Sequence, residues 1–228
     1  GVSVNIVLNR AELVSATVGT VETNLSEGAL LVAVALFLFL GNWRAAIIAA
    51  LVIPFSFLMM ATGMNTFGVP GNLMSLGALD FGLIVDGAVI IIENCLARLA
   101  HRQEREGRLL TIHERLEETM HASQEMIKPT VFGQAIILLS FAPLLLFTGV
   151  EGKTFSPMAI TIMLALFSAF ILSITLVPAL VALLIRGRVA EKEVWMIRKS
   201  KDRYLPLLDK ALARPMPFIA GGLAFFLA

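Results

Sequence analysis

The sequence has few charged residues and only one cysteine. Between Arg44 and Asp80 there is no charged residue at all, and charge makes up 15% of the 228 residues against 57% for apolar side chains. This composition, with a mean hydropathy of +0.84, excludes an ordinary soluble domain and predicts a membrane helix bundle. The single cysteine, Cys95, excludes an internal disulfide, and no feature predicts a nucleic-acid partner.

Apolar runs that approach the roughly 20 residues needed to cross a bilayer recur along the chain. The predicted spans are 25–41, 44–63, 72–96, 129–148 and 156–185. We predict an all-α, polytopic transmembrane bundle with this division: the end of an external domain (1–24), three spans (25–96), a helical connection (97–128), two spans (129–185), an amphipathic surface helix (186–214) and the start of a further span (215–228).

Residues 2–8 alternate between apolar and polar side chains, which predicts one half-buried strand. A strand needs partners, and no second strand pattern follows it. The apolar run 215–228 is in turn too short to cross a bilayer. We therefore expect the chain to be a fragment of a longer protein, cut at both ends.

Basic residues are concentrated in alternate connections. The stretch Arg98–Lys128 holds six Lys or Arg residues and Arg186–Arg214 holds nine, and Arg44 lies in a further connection of this set. The two intervening connections, 64–71 and 149–155, hold only Lys153. Because basic connections face the cytoplasm, this alternation places the N-terminal strand outside it, in a multi-pass protein.

Three carboxylates, Asp80, Asp86 and Glu93, lie within the third predicted span. A charged group at the bilayer centre costs about 3 kcal/mol on insertion scales, so it is rarely placed there for packing. Asp86 and Glu93 fall within about 20° of one helix face and about 10 Å apart along the axis, whereas Asp80 lies about 120° from Asp86. We predict that this face is buried and carries a proton relay. The alternative is a polar cluster that only locks helices together, although Asn or Ser would do so at lower cost.

The stretch Gly77–Asn94 reads GALDFGLIVDGAVIIIEN. It resembles the fourth transmembrane helix of the heavy-metal efflux branch of the resistance-nodulation-division (RND) pumps. It matches the cobalt-zinc-cadmium signature Asp-Phe-Gly-x-x-x-Asp-Gly-Ala-Val-x-x-x-Glu-Asn at every fixed position. The resemblance extends over the whole chain through five further stretches: 27–29, 37–42, 72–77, 148–153 and 176–179.

The resemblance implies a secondary active transporter, not an enzyme: a homotrimer in the bacterial inner membrane that exports Zn²⁺, Co²⁺ or Cd²⁺ in exchange for protons. It implies a periplasmic adaptor and an outer-membrane channel as partners beside the membrane lipid, and no cofactor beyond the transported protons and cations. The chain would then run from the end of a periplasmic porter region through helices two to six and into helix seven. Asp86 would be the essential proton carrier, with Asp80 and Glu93 as flanking acids. The porter metal site and a partner lysine on helix ten would lie outside the chain.

Other readings remain as alternatives. An RND pump for organic compounds would share the fold and the relay, and a non-transporting membrane scaffold would share only the fold. An intramembrane aspartyl protease needs aspartates that face each other from two helices, which Asp80 and Asp86 on one helix do not. A kinase reading of Asp80-Phe-Gly82 lacks every other kinase motif.

Possible metal ligands are few. His113, Glu117 and His121 follow one stripe of a helix at ligand-like spacing, although a solvated charged face explains them as well. Cys95 is expected to be a small buried packing residue. The copper and silver branch of the RND family carries methionines where this chain has Ile84 and Ile91, so borderline divalent cations suit this chain better than Cu⁺ or Ag⁺.

Overall fold

The computed structural model describes residues 10–71, 81–189 and 195–227, and all regular elements in these ranges are helical. This confirms the predicted all-α class for the described residues; the strand predicted at 2–8 and the carboxylate Asp80 lie outside them. The chain forms two units, residues 1–191 and 192–228. The first unit contains α1 (Arg10–Leu40), α2 (Trp43–Phe67), α3 (Phe81–Glu106), α4 (Ile112–Phe141), a 3₁₀ turn (Ala142–Leu146) and α5 (Gly149–Leu184).

The ends of α2 are set by local side-chain and backbone chemistry. Asn42 caps its first turn, where the Oδ1 atom accepts hydrogen bonds from the backbone N–H groups of Arg44 (3.1 Å) and Ala45 (3.4 Å). Gly68 ends the helix in the left-handed region at φ 66°. Helix α2 therefore has a defined start and a defined end.

Helices α2 and α5 are antiparallel. At one end Arg44 Nη1 donates to the carbonyl oxygen of Arg186 at 2.6 Å, and near the other end Thr161 Oγ1 donates to Met64 Sδ at 3.7 Å. Fully buried side chains fill the space between α2, α3 and α5: Ile48, Val52, Ile53, Met60, Ile91, Ile92, Val177 and Val181. The core of the first unit thus lies along these three helices.

Helices α3 and α4 form an antiparallel hairpin. The connection predicted at 97–128 is helical on both sides of a short break at residues 107–111, which begins at Gly107 with φ 65°. Thr111 and Glu114 form a capping box at the start of α4. The connection therefore consists of the ends of two neighbouring helices, and the capping box starts α4 directly after the break.

Among the described residues, three helical segments are long and apolar enough to cross a membrane: Trp43–Phe67, Ile112–Leu146 and Gly149–Leu184. Residues 112–128 of the second contain six charged side chains, so its membrane-crossing part begins at Pro129. Residues 149–155, predicted as a connection, form the first turns of α5 instead. Pro143 lies in the 3₁₀ turn that ends α4, where the ring no longer interrupts an α-helical hydrogen bond.

The second unit consists of α6 (Trp195–Ala213) and α7 (Pro215–Leu227). Helix α6 carries the basic residues Arg198, Lys199, Lys201 and Arg203 on exposed positions. It lies within the range predicted for an amphipathic surface helix. Helix α7 is a short apolar helix, as expected for the beginning of a span.

Candidate functional site

Asp86 and Glu93 share an exposed face of α3. Ile90, between them, is 37% exposed, and both carboxylates are exposed as well. Among the described residues no helix covers this face, and its burial in the complete protein stays a prediction. The described helices instead cover the opposite face, which holds Ile84 and Ile91. No described residue donates a hydrogen bond to either carboxylate or forms an ion pair with it.

The glycine beside Asp86 determines how closely α3 packs. Gly87 is buried, and a Cβ atom at this position would lie 3.4 Å from Thr130 Cγ2 and 3.5 Å from Ser173 Oγ. Helix α3 thus approaches both α4 and α5 at the level of the carboxylate. This contact fixes the rotation of α3 and turns Asp86 away from the core.

Helix α4, which contributes Thr130 to this contact, carries a stripe of buried polar side chains: Thr119, Ser123, Thr130 and Gln134. Thr119 and Ser123 donate their hydroxyl protons to carbonyl oxygens one turn earlier, at 2.8 Å and 2.7 Å. Among the described residues no partner exists for Thr130 Oγ1 or Gln134 Nε2. These four residues were not predicted from the sequence, although their spacings of four, seven and four residues indicate one helix face.

The last residue of the motif, Asn94, fastens α3 to α4. Its Nδ2 donates to the carbonyl oxygen of Ala122 at 2.9 Å and to Glu125 Oε2 at 3.3 Å. The neighbouring Cys95 is fully buried, with Sγ 3.8 Å from the carbonyl oxygen of Thr119. The prediction of Cys95 as a buried packing residue is confirmed, and Asn94 acts as a positioning residue for the carboxylate face.

Ion pairs between α3 and α4 stabilise the hairpin on the side of Glu93 that lies away from Asp86. Arg102 contacts Glu118 at 2.8 Å, Glu106 at 3.0 Å and Glu117 at 3.1 Å. The hydrogen bond to Glu106, followed by that to Glu117, raises the pKa of Arg102 above its ordinary value. Because these groups are partly solvated, the network contributes mainly orientation rather than much stability.

The predicted ligand stripe does not form a metal site. His113, Glu117 and His121 are all exposed, and Glu117 is paired with Arg102. In the parts of the chain that the structure describes, no group of three or more His, Cys, Asp or Glu residues is arranged to hold a metal ion. The geometry therefore supports the interpretation of this stripe as a solvated, charged helix face.

Comparison with known proteins places these features in a family. The sequence model of the AcrB/AcrD/AcrF family matches residues 1–228. The chain is 63% identical over 223 residues to the nickel-cobalt-cadmium resistance protein NccA of Alcaligenes xylosoxydans xylosoxydans, covering 98% of this chain and 21% of NccA. It is 55% identical over 213 residues to the cobalt-zinc-cadmium resistance protein CzcA of Cupriavidus metallidurans, covering 93% of this chain and 20% of CzcA.

A crystal structure of a heavy metal efflux pump is 38% identical and superposes with a TM-score of 0.75, covering 96% of this chain and 19% of that one. The chain thus spans about a fifth of the length of the relatives it matches. The chain belongs to the AcrB/AcrD/AcrF family and, within it, to the heavy-metal efflux branch of the RND transporters.

Proposed function

We propose that the complete protein containing this chain is a proton-driven antiporter that exports divalent heavy-metal cations. The observation that supports this most is the pair of carboxylates, Asp86 and Glu93, in the largely apolar first part of α3 (residues 81–97), on a face that no described residue covers. A face of this kind needs a polar partner from the rest of the protein, because ionised groups facing lipid are costly.

The relay follows from the surroundings that such a face can meet. A carboxylate in apolar surroundings holds its proton, and the same group beside a cation releases it. Asp86 lies at the level where α3 packs closely against α4 and α5, so a small shift of α3 would change its surroundings. Glu93 lies two turns further along α3, so it extends the proposed proton relay toward the basic end of the first unit. Asp80 is proposed as the third acid of this relay.

The transported cation is proposed from the relatives. NccA is named for nickel, cobalt and cadmium resistance, and CzcA for cobalt, zinc and cadmium resistance. Identity is higher to NccA, so nickel joins zinc, cobalt and cadmium among the proposed substrates. We further propose a homotrimer in the inner membrane that works with a periplasmic adaptor and an outer-membrane channel.

Proton flux in reconstituted vesicles tests the proposal. The complete protein is reconstituted with a pH dye inside the vesicles, and the metal-dependent flux is compared between the wild type and Asp86→Asn. The substitution keeps the shape of the side chain but removes its ionisation, so flux should disappear while trimer assembly is retained. Asp86→Glu should keep part of the flux, and Glu93→Gln should slow it less. Wild-type flux from Asp86→Asn would refute the assignment.

A further inference from the structure

A groove lies where α2 begins and α5 ends. Its volume is about 290 Å³, and Trp43, Arg44, Arg186 and Arg188 supply the charged and aromatic part of its lining. We call these four residues the arginine groove. They come from two segments about 140 residues apart, and Arg44 Nη1 joins the segments by donating to the carbonyl oxygen of Arg186 at 2.6 Å.

The charge of the arginine groove is not neutralised by described residues. On the α3–α4 hairpin Arg98, Arg102 and Arg108 each pair with glutamates. In the described part of the chain no carboxylate pairs with Arg44, Arg186 or Arg188. Arg186 and Arg188 are exposed, so their guanidinium groups are available to an anion from outside the chain.

The groove lies at the ends of two helices that are long enough to cross a membrane, at the level expected for the membrane surface. Trp43 is the first residue of one membrane-crossing helix, and Leu184 is the last residue of another. Trp43 is 59% exposed, and the Arg44 guanidinium carbon lies 5.5 Å from its ring centroid. An exposed tryptophan beside arginines at helix ends is typical of the level of the lipid headgroups.

We propose that the arginine groove binds the phosphate headgroup of an anionic phospholipid in the leaflet at the basic end of the bundle. Guanidinium groups bind phosphate through paired, charge-assisted hydrogen bonds, and an interfacial tryptophan packs against the glycerol region. The backbone N–H groups of Arg44 and Ala45 are not the donors, since both already donate to Asn42 Oδ1. A bound headgroup bridges the start of α2 and the segment after α5.

The test uses the complete protein in nanodiscs of phosphatidylcholine with increasing fractions of phosphatidylglycerol, and its melting temperature is the readout. Arg188→Gln is the main variant, because the Arg188 side chain makes no hydrogen bond to described residues. Arg186→Gln is the second variant. Arg105→Gln is the matched control: it removes the same charge from an exposed site two residues after Gln103, whose side chain bonds the segment that lines the groove.

Phosphatidylglycerol should raise the melting temperature of the wild type and of Arg105→Gln equally. Each groove variant should need about fivefold more phosphatidylglycerol for the same rise, as expected for the loss of one basic contact. If Arg188→Gln and Arg105→Gln weakened the rise in melting temperature equally, general attraction to the membrane surface would explain it and the proposal would be overturned. A rise like that of the wild type in both groove variants would also overturn it. Inorganic phosphate at millimolar concentration should give no rise; a full rise with phosphate alone would contradict a lipid ligand.

Discussion

The side chain of Gln103 forms a two-way bridge between the end of α3 and the segment after α5. Its Nε2 donates to the carbonyl oxygen of Gly187 at 3.0 Å, and its Oε1 accepts from the backbone N–H of Val189 at 2.8 Å. With the bond from Arg44 to Arg186, this bridge places Arg44, the end of α3 and residues 186–189 at one end of the first unit. The alternating charge of the sequence predicts this arrangement.

Gln103→Ala should destabilise the complete protein by about 1–3 kcal/mol, because the buried N–H of Val189 and the carbonyl oxygen of Gly187 would both lose their partner. Gln103 is 7% exposed, so water cannot fully replace the amide. Gln124→Ala, at an exposed position on α4, is the control and should change little. Thermal unfolding in detergent measures both, and equal melting temperatures for the two variants would contradict the role of the bridge.

Cysteine labelling should show Arg105 in the cytoplasm and Lys153 outside it. Both positions are exposed, so Arg105→Cys and Lys153→Cys should fold and react, whereas Cys95 is buried and should stay silent. A membrane-impermeant maleimide added to intact cells should modify Lys153→Cys alone. Gly152 is unsuitable for labelling, because its Cβ would collide with the carbonyl oxygen of Phe147. Labelling of Arg105→Cys alone would show that the topology is the reverse of the predicted one.

Glu114 should stay ionised far into the acidic range. The hydrogen bond from Arg108, followed by the one from the Thr111 backbone, lowers its pKa from 4.5 to about 2. A lowered pKa means that the stabilisation is present above pH 4.5 and is lost as the pH falls toward 2.

Hydrogen exchange at the start of α4 measures this directly. Glu114→Gln should lose protection there at pH 7 and at pH 5, and the difference from the wild type should vanish near the folded pKa of about 2. The exposed substitution Glu104→Gln is the control and should leave this region unchanged. A difference that grew on acidification would contradict the prediction.

Gly87 should tolerate alanine but not a larger residue. An alanine Cβ would sit at ordinary contact distance, 3.4 Å from Thr130 Cγ2, whereas a leucine would have to displace Thr130 or Ser173. Overpacking of this kind costs about 1–3 kcal/mol. Thermal unfolding of the complete protein should therefore rank the wild type near Gly87→Ala and well above Gly87→Leu. Equal stability of all three would show that α3 is free to move away from its neighbours.

The sequence predicted the helical class and the carboxylate helix, because the length of an apolar run and the charges within it are local signals. It did not predict the rotation of that helix. A heptad spacing places Asp86 and Glu93 on one face, but only packing partners decide whether the face is covered. In this chain Gly87 and Ala88 lie on the face of α3 that packs against its neighbours, so Asp86 and Glu93 lie on the exposed face.

Helix ends were harder to predict than helices. The charged stretch after Cys95 predicts a helical connection at 97–128, and this stretch is helical. Its division into the end of α3 at Glu106 and the start of α4 at Ile112 was not predicted, because the ion pairs and the capping box that support helix there are seen only in the structure. The buried polar stripe of α4 was missed for a related reason. Thr130 and Gln134 are ordinary residues in sequence, and they become informative only once burial leaves Thr130 Oγ1 and Gln134 Nε2 without partners among the described residues.

Metal selectivity is the last prediction. Ile84 and Ile91 are both buried in α3, so this helix offers no thioether at the two positions where the copper and silver branch has methionine. Soft monovalent ions prefer thioether and thiolate ligands, whereas Ni²⁺, Co²⁺, Zn²⁺ and Cd²⁺ accept harder ones. Expression of the complete protein in a metal-sensitive host should raise tolerance to one or more of these divalent cations and leave silver tolerance unchanged. Organic dyes added in parallel should remain toxic. Increased silver tolerance with no change for the divalent cations would contradict the metal class, and increased dye tolerance alone would support a pump for organic compounds instead.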